Sequence, residues 1–187
     1  MLRDLHILKY FTMKKHLFLL FSGIILIFTS CNKVDSDVEA QNELVLKKGT
    51  VVQNFVAHLS GDQEVPARAT LATGEAIFQL SKDGTELSYK LIVANLENVQ
   101  ASHIHLAPVG VNGGVVVWLY PSAPPSLLIP GTTNGILAQG VITDANLVGS
   151  LAGKTVADLV NELNAGNAYV NAHTPLYPGG EIRGQIK

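Results

Sequence analysis

Hydrophobic and polar positions alternate most clearly in two stretches of the chain. In residues 101–119, ASHIHLAPVGVNGGVVVWL, His103 and His105 fall on one side of an extended chain and Ile104 and Leu106 on the other, because strand side chains point to opposite faces with period two. Residues 168–186, AYVNAHTPLYPGGEIRGQI, set Ala168, Val170 and Ala172 against Tyr169, Asn171 and His173 in the same way. The apolar sets predict core-facing sides. The three imidazoles are expected on the outward, polar sides, where they could converge. Alternation also predicts strands over residues 51–59, 74–80 and 86–94; Leu87, Tyr89, Leu91 and Val93 keep period two, and the turn Ser81-Lys82-Asp83-Gly84 carries the Asp-Gly hairpin signal. Residues 115–120 are apolar on both faces, which predicts a buried central strand. Four prolines and two glycines in residues 121–135 predict a long surface loop, after which a strand resumes over 136–142. One helix is signalled by Thr155 and Asp158 as a capping box, Val156, Leu159, Val160 and Leu163 at helical spacing, and Gly166 as a stop. Strands over 168–173 and 181–186 close the pattern. About eight short strands with one short late helix predict an all-β fold, an antiparallel Greek-key-like sandwich or flattened barrel.

The N-terminal region reads differently. Lys14, Lys15 and His16 precede an apolar run over residues 17–28, and Thr29, Ser30 and Cys31 follow. A basic segment, a short apolar segment and small residues are the parts of a secretory signal, and the run is shorter than the roughly 18–20 apolar residues that span a bilayer. Cys31 is the only cysteine in the 187 residues. With Phe28, Thr29 and Ser30 before it, Cys31 resembles the end of a bacterial lipobox in which phenylalanine stands where leucine is usual. The resemblance implies a lipidated Cys31 as first mature residue, anchored to a membrane through buried methylenes with nothing spanning it. Residues 1–12 look like a start extension, with synthesis beginning at Met1 or Met13. The expected organisation is residues 1–30 as extension and signal peptide, 31–50 as lipidated cysteine and acidic tether, and 51–187 as one domain. Removing residues 1–30, which hold four basic residues and one acidic, leaves 9 Lys and Arg against 14 Asp and Glu, a formal charge of −5. No basic stripe or interleaved aromatic pattern points to nucleic acid, and no thiol remains for a disulfide.

Candidate chemistry concentrates on the histidines. Two imidazoles at i and i+2 on one strand can share an ion, and neutral imidazole suits zinc and copper. His173 would add a third nitrogen, and Glu181 or Tyr177 an oxygen. Alternatively, the rings form a polar cluster satisfied by backbone carbonyls, Asn171 or Glu181. His58 reads as an ordinary strand residue, and Glu181 with Arg183 as an exposed ion pair. Trp118 and Tyr120 share a face ahead of the proline-rich loop, as a protein- or glycan-binding surface or as side chains buried beneath it. Ser102 lies on the opposite strand face from His103, so the pair is not a nucleophile with its base. Nothing completes a nucleophile elbow or a phosphate loop, so no catalytic residues are assigned.

The segments LSGDQEVP (59–66), TGEAIF (73–78), NLENVQASHIHLAPVGVNGGVVVWL (95–119), GNAYVNAHTP (166–175) and PGGEIRGQI (178–186) together resemble the CHRD, or chordin, domain family. A more distant likeness is to the copper/zinc superoxide dismutase sandwich, with His103, His105 and His173 at matching positions but without its bridging histidine or disulfide. With no complete catalytic constellation in the sequence, the expected function is a non-enzymatic binding or structural module, and the lipobox resemblance implies a place in the cell envelope, held by its lipid at the outer membrane or cell surface. The alternative function is a single-site copper or zinc protein built on His103, His105 and His173.

Overall fold

The computed structural model describes residues 53–187; the start extension, the signal, Cys31 and the tether lie outside the described residues. The Asp-Gly turn folds the chain back on itself as its chemistry requires. Gly84 takes φ +77°, Gly84 N–H donates to Ser81 O, and Ser81 N–H donates to Glu86 O. The turn joins β2 (Thr73–Leu80) to β3 (Leu87–Glu97), which pair antiparallel in continuous register from Thr73 opposite Ala94 to Leu80 opposite Leu87. Around this hairpin lie β1 (Asn54–Ser60), β4 (Ala101–Leu106), β5 (Gly114–Tyr120), β6 (Thr132–Ile142), helix α1 (Val156–Asn164), β7 (Ala168–His173) and β8 (Ile182–Gln185).

The eight strands form one sheet in the order β5-β4-β7-β8-β1-β2-β3-β6, every neighbouring pair antiparallel. It curls into a nearly closed barrel. The barrel form of the expected fold is therefore the one found. β8 is the seam: it pairs with β7 on one side and with β1 on the other. Reciprocal backbone bonds between Val56 and Lys187 prolong that junction beyond the strand. Gly184 allows the close approach, since a Cβ there would collide with the carbonyl oxygen of His58.

Apolar alternation lands on the inside. Phe55, Ala57 and Leu59 of β1, Ala76 and Phe78 of β2, Leu87, Leu91 and Val93 of β3, and Val170 and Ala172 of β7 are all buried in one core. Helix α1 adds Val156, Leu159, Val160 and Leu163 to the same core and starts with the expected capping box between Thr155 and Asp158. Burying a side chain of that size contributes about 1.5–3 kcal/mol.

Two expectations need correction. Residues 115–120 do not form a central strand: β5 stands at one end of the hydrogen-bonded order, paired only with β4. Val116, Val117 and Leu119 are nonetheless buried, and the chain after β6 covers the strand, with Val148 N–H donating to Val116 O. The proline-rich loop is also shorter than expected. β6 begins at Thr132, and the opening pairs Leu96 with Thr133 and Glu97 with Thr132 form across a register shift that the local composition did not signal.

Candidate metal centre

Register decides which polar side chains meet. Across β4 and β7, His103 lies opposite Asn171, His105 opposite Tyr169, and Ala101 opposite His173. Across β7 and β8, Asn171 lies opposite Arg183 and Tyr169 opposite Gln185. With period-two alternation, His103, His105, Tyr169, Asn171, His173, Arg183 and Gln185 share the barrel's outer face. On β5, Trp118 is the register partner of His103.

The three histidines are on the non-core face, as expected, but they are not at the surface: their exposures are only 6, 7 and 8% for His103, His105 and His173. Three loops roof that face. Asn112 of the β4–β5 loop donates its side-chain N–H to Val65 O in the β1–β2 loop, and Tyr177 of the β7–β8 loop donates its hydroxyl to Ala69 O. Gly113 is indispensable to the roof because a Cβ there would collide with the Leu106 carbonyl oxygen.

Buried polar groups must be satisfied or they cost stability, and most of this face is. Arg183, 2% exposed, donates to Asn112 Oδ1 at 3.2 Å, Val111 O at 2.9 Å and Pro108 O at 3.4 Å. Its guanidinium lies 3.4 Å from the centre of the Tyr169 ring. Tyr169 stacks in turn on His105, with ring centres 4.9 Å apart and planes inclined by 5°. Gln185 donates to Ala107 O and Gly166 O. Glu181 accepts from Thr70 at 2.6 Å and from Thr174 at 2.8 Å. The expected exposed Glu181–Arg183 ion pair is thus absent among the described residues: both groups are buried and each has its own partners. With both Glu181 oxygens engaged and the Tyr177 hydroxyl turned to Ala69, neither supplies an oxygen to the imidazoles.

The imidazoles are held but not satisfied. His105 Nδ1 lies 3.0 Å from Gly113 O and His173 Nδ1 lies 3.0 Å from Pro178 O. A carbonyl only accepts, so both Nδ1 atoms carry the proton and both Nε2 atoms present lone pairs. His103 Nδ1 lies 3.0 Å from His173 Nε2, while His103 Nε2 and His105 Nε2 have no hydrogen-bond partner. One ring nitrogen from each of the three lies within 4.8 Å of the others. Burial lowers all three pKa values, to about 3 for His103 and about 4 for His173, with the neighbouring imidazoles lowering both further. The rings are therefore neutral, the state in which imidazole binds metal. Of the two readings, a self-satisfied cluster accounts for the Nδ1 anchors and leaves two nitrogens unexplained.

Trp118, half-buried, sets its ring edge-on to His103 with centres 4.2 Å apart. His58 is exposed and lies 3.2 Å from Glu75, remote in role from the cluster as expected of an ordinary strand residue. The β1–β2 loop contributes Glu64 and Arg68, which sequence reasoning passed over. Glu64 is 5% exposed, and burial raises its pKa against the pull of the Val65 N–H and of the Arg183 and Arg68 guanidiniums. No short motif marks such residues, since they reach the site only because the loop folds over the sheet.

A family model described as the CHRD domain matches residues 55–186. No curated protein and no solved structure matches the chain. The matched span runs from β1 to the residue after β8 and takes in the three histidines and the loops that roof them; the chain belongs to the CHRD family.

Proposed function

We propose that this CHRD domain is a non-catalytic, extracytoplasmic binding module that holds one copper or zinc ion through His103, His105 and His173. The observation that carries the reading is the approach of three neutral ring nitrogens within 4.8 Å, two of the rings being fixed through Nδ1 to Gly113 O and Pro178 O. Histidine ligands characteristically donate their other N–H to such a carbonyl, which fixes the tautomer and aims the lone pair. An ion at about 2.0–2.1 Å from each nitrogen sets them roughly 3.4 Å apart in tetrahedral geometry. For His103 Nδ1 and His173 Nε2 to share the ion, the His103 proton between them moves to Nε2, the 3.0 Å pair opens slightly and the wider spacings close.

Trp118, the only tryptophan, lies against His103 and reports on the site. Copper(II) added to the full chain in detergent is expected to quench Trp118 fluorescence at about one equivalent, with matching metal retained after desalting. His103→Ala/His105→Ala is expected to lose both. A parent protein that retains no metal refutes the reading, and the histidines are then architecture.

Lipid anchoring through Cys31, with the domain at the outer membrane or cell surface, is the second part of the reading. Its support is the basic, apolar and small-residue succession that ends at Cys31. Cys31→Ser is expected to leave the detergent phase; a variant that still partitions with membranes excludes the lipid anchor. The membrane is then the standing partner. A protein or glycan at the cell surface is a further one, for which the half-buried Trp118 and Tyr120 and the exposed Leu127 and Leu128 offer a surface.

A further inference from the structure

Asn171 lies directly opposite His103 across the β4–β7 ladder and two residues before His173 on β7. It is 2% exposed, and its side-chain oxygen has no hydrogen-bond partner. The orientation of its amide follows from its neighbours. A Cβ on Gly180 would stand 2.9 Å from Asn171 Nδ2 and collide with Glu64 Oε1, so these two atoms flank the same point. A carboxylate oxygen only accepts, so the amide turns its N–H2 toward Glu64 and its oxygen away. The Asn171 amide lies within hydrogen-bonding reach of the His105 ring and raises its pKa against the effect of burial, as an acceptor facing the ring does.

Two acceptors therefore share a buried space. His105 Nε2 is a lone pair because the single ring proton is on Nδ1, bound to Gly113 O, and Asn171 Oδ1 is a carbonyl lone pair. Neither has a donor. A buried acceptor left unpaired is destabilising, and a cation at the imidazoles removes that cost for the nitrogen only. An amide oxygen beside a three-nitrogen metal centre calls for a donor attached to the metal. A water molecule in the fourth position is such a donor.

Building on the metal reading above, we propose that the ion bound by His103, His105 and His173 keeps an exchangeable water as its fourth ligand, held by a hydrogen bond to Asn171 Oδ1. Three protein ligands and one exchangeable position distinguish a site open to exogenous ligands from a closed structural one. Asn171 acts as a positioning residue: it orients the water, with Glu64 Oε1 on the amino side of its amide. The same position would accept a small anion in place of water. No bond is made or broken beyond this exchange of one ligand for another.

Copper(II) electron paramagnetic resonance with pulsed detection tests the fourth ligand separately from the first three. The full chain in detergent is loaded with one equivalent of copper(II) and transferred to D2O. Modulation from the remote nitrogens of bound imidazoles reports the histidines, and deuterium modulation from a directly bound water reports the fourth position. Both are expected in the parent. Asn171→Leu is expected to keep the imidazole signal and lose most of the bound-water deuterium signal, and Asn171→Asp to keep both. Glu64→Gln, which leaves an acceptor beside the amide, is expected to resemble the parent. Imidazole modulation without bound-water deuterium in the parent overturns the exchangeable water while leaving the metal reading intact. A bound-water signal unchanged in Asn171→Leu overturns the role of Asn171. Absence of imidazole modulation in the parent removes the metal reading itself. If Asn171→Leu fails to fold, Asn171→Ser, with an oxygen too short to reach, gives the same contrast.

Discussion

Lowering the pH from 7 to 5 in the presence of a chelator tests how firmly the fold holds its histidines neutral. An unfolded histidine takes up its proton near pH 6.5. In the folded domain, His103 does so only near 3 and His173 near 4, chiefly because burial penalises the charged ring. Below pH 6.5 the unfolded state therefore binds more protons, and stability falls with pH until the folded rings protonate in turn. At pH 5 each ring lies about 1.5 pH units below its unfolded value and still above its folded one. At about 1.36 kcal/mol per pH unit, each costs about 2 kcal/mol, or about 4 kcal/mol together. His105, also lowered by burial, adds in the same direction. Glu64 works the other way, since its raised pKa lets the folded state take up a proton more readily as pH falls. A domain of this size is stable by about 5–15 kcal/mol, so the loss is a large share. Urea denaturation of the metal-free chain at several pH values, followed by far-ultraviolet circular dichroism, reads it directly. The expected result is a steep fall between pH 6.5 and 5 that is flatter in His103→Gln/His173→Gln. A parent whose stability changes by less than about 1 kcal/mol over that interval refutes the reasoning.

Three further perturbations follow from particular contacts. Gly113→Ala drives a methyl group into the Leu106 carbonyl and shifts the carbonyl that anchors His105; a loss of about 1–3 kcal/mol is expected by denaturation, together with weaker copper retention. Arg183→Lys cannot reproduce the bonds to Asn112, Val111 and Pro108, so about 1–3 kcal/mol is lost and amide hydrogen exchange in the β4–β5 loop should quicken. Thr155→Ala removes the side chain that accepts from Asp158 N–H at the start of α1, costing about 1 kcal/mol. Unlike Gly113→Ala, it should leave copper binding unchanged.

Period-two alternation was enough to place His103, His105, Asn171 and His173 on one side of their strands, and the Asp-Gly turn and capping box marked two further elements without ambiguity. What alternation could not tell is what lies over that side. A strand face that is not the core reads as solvent-facing unless loops return across it, and the roof depends on contacts such as Asn112 with Val65 and Tyr177 with Ala69, far apart in sequence. For the same reason Arg183 read as an exposed ion-pair partner when it is among the most buried side chains. β5 misled in a related way: apolar residues on both faces indicate burial, and burial can come from a covering segment as well as from flanking strands. The short reach of the proline-rich loop was missed because Thr132 and Thr133 carry strand pairing that only the opposing Leu96 and Glu97 make visible.

The seam strand has a kinetic meaning. Without β8, the hydrogen-bonded order divides into two separate ladders, β5-β4-β7 and β1-β2-β3-β6. All three histidines belong to the first, whereas Arg183, which ties down the loop over them, arrives only with β8. The β7–β8 pair is local in sequence, whereas β8–β1 and β4–β7 join distant residues, and distant pairs are slow to form because loop-closure entropy must be met before the contacts repay it. His103 and His173 therefore meet in one of the slow steps, and the closing of β8 on β1 is another. The three-histidine cluster is thus a late product of folding, completed only when residues 70 positions apart in the sequence have paired.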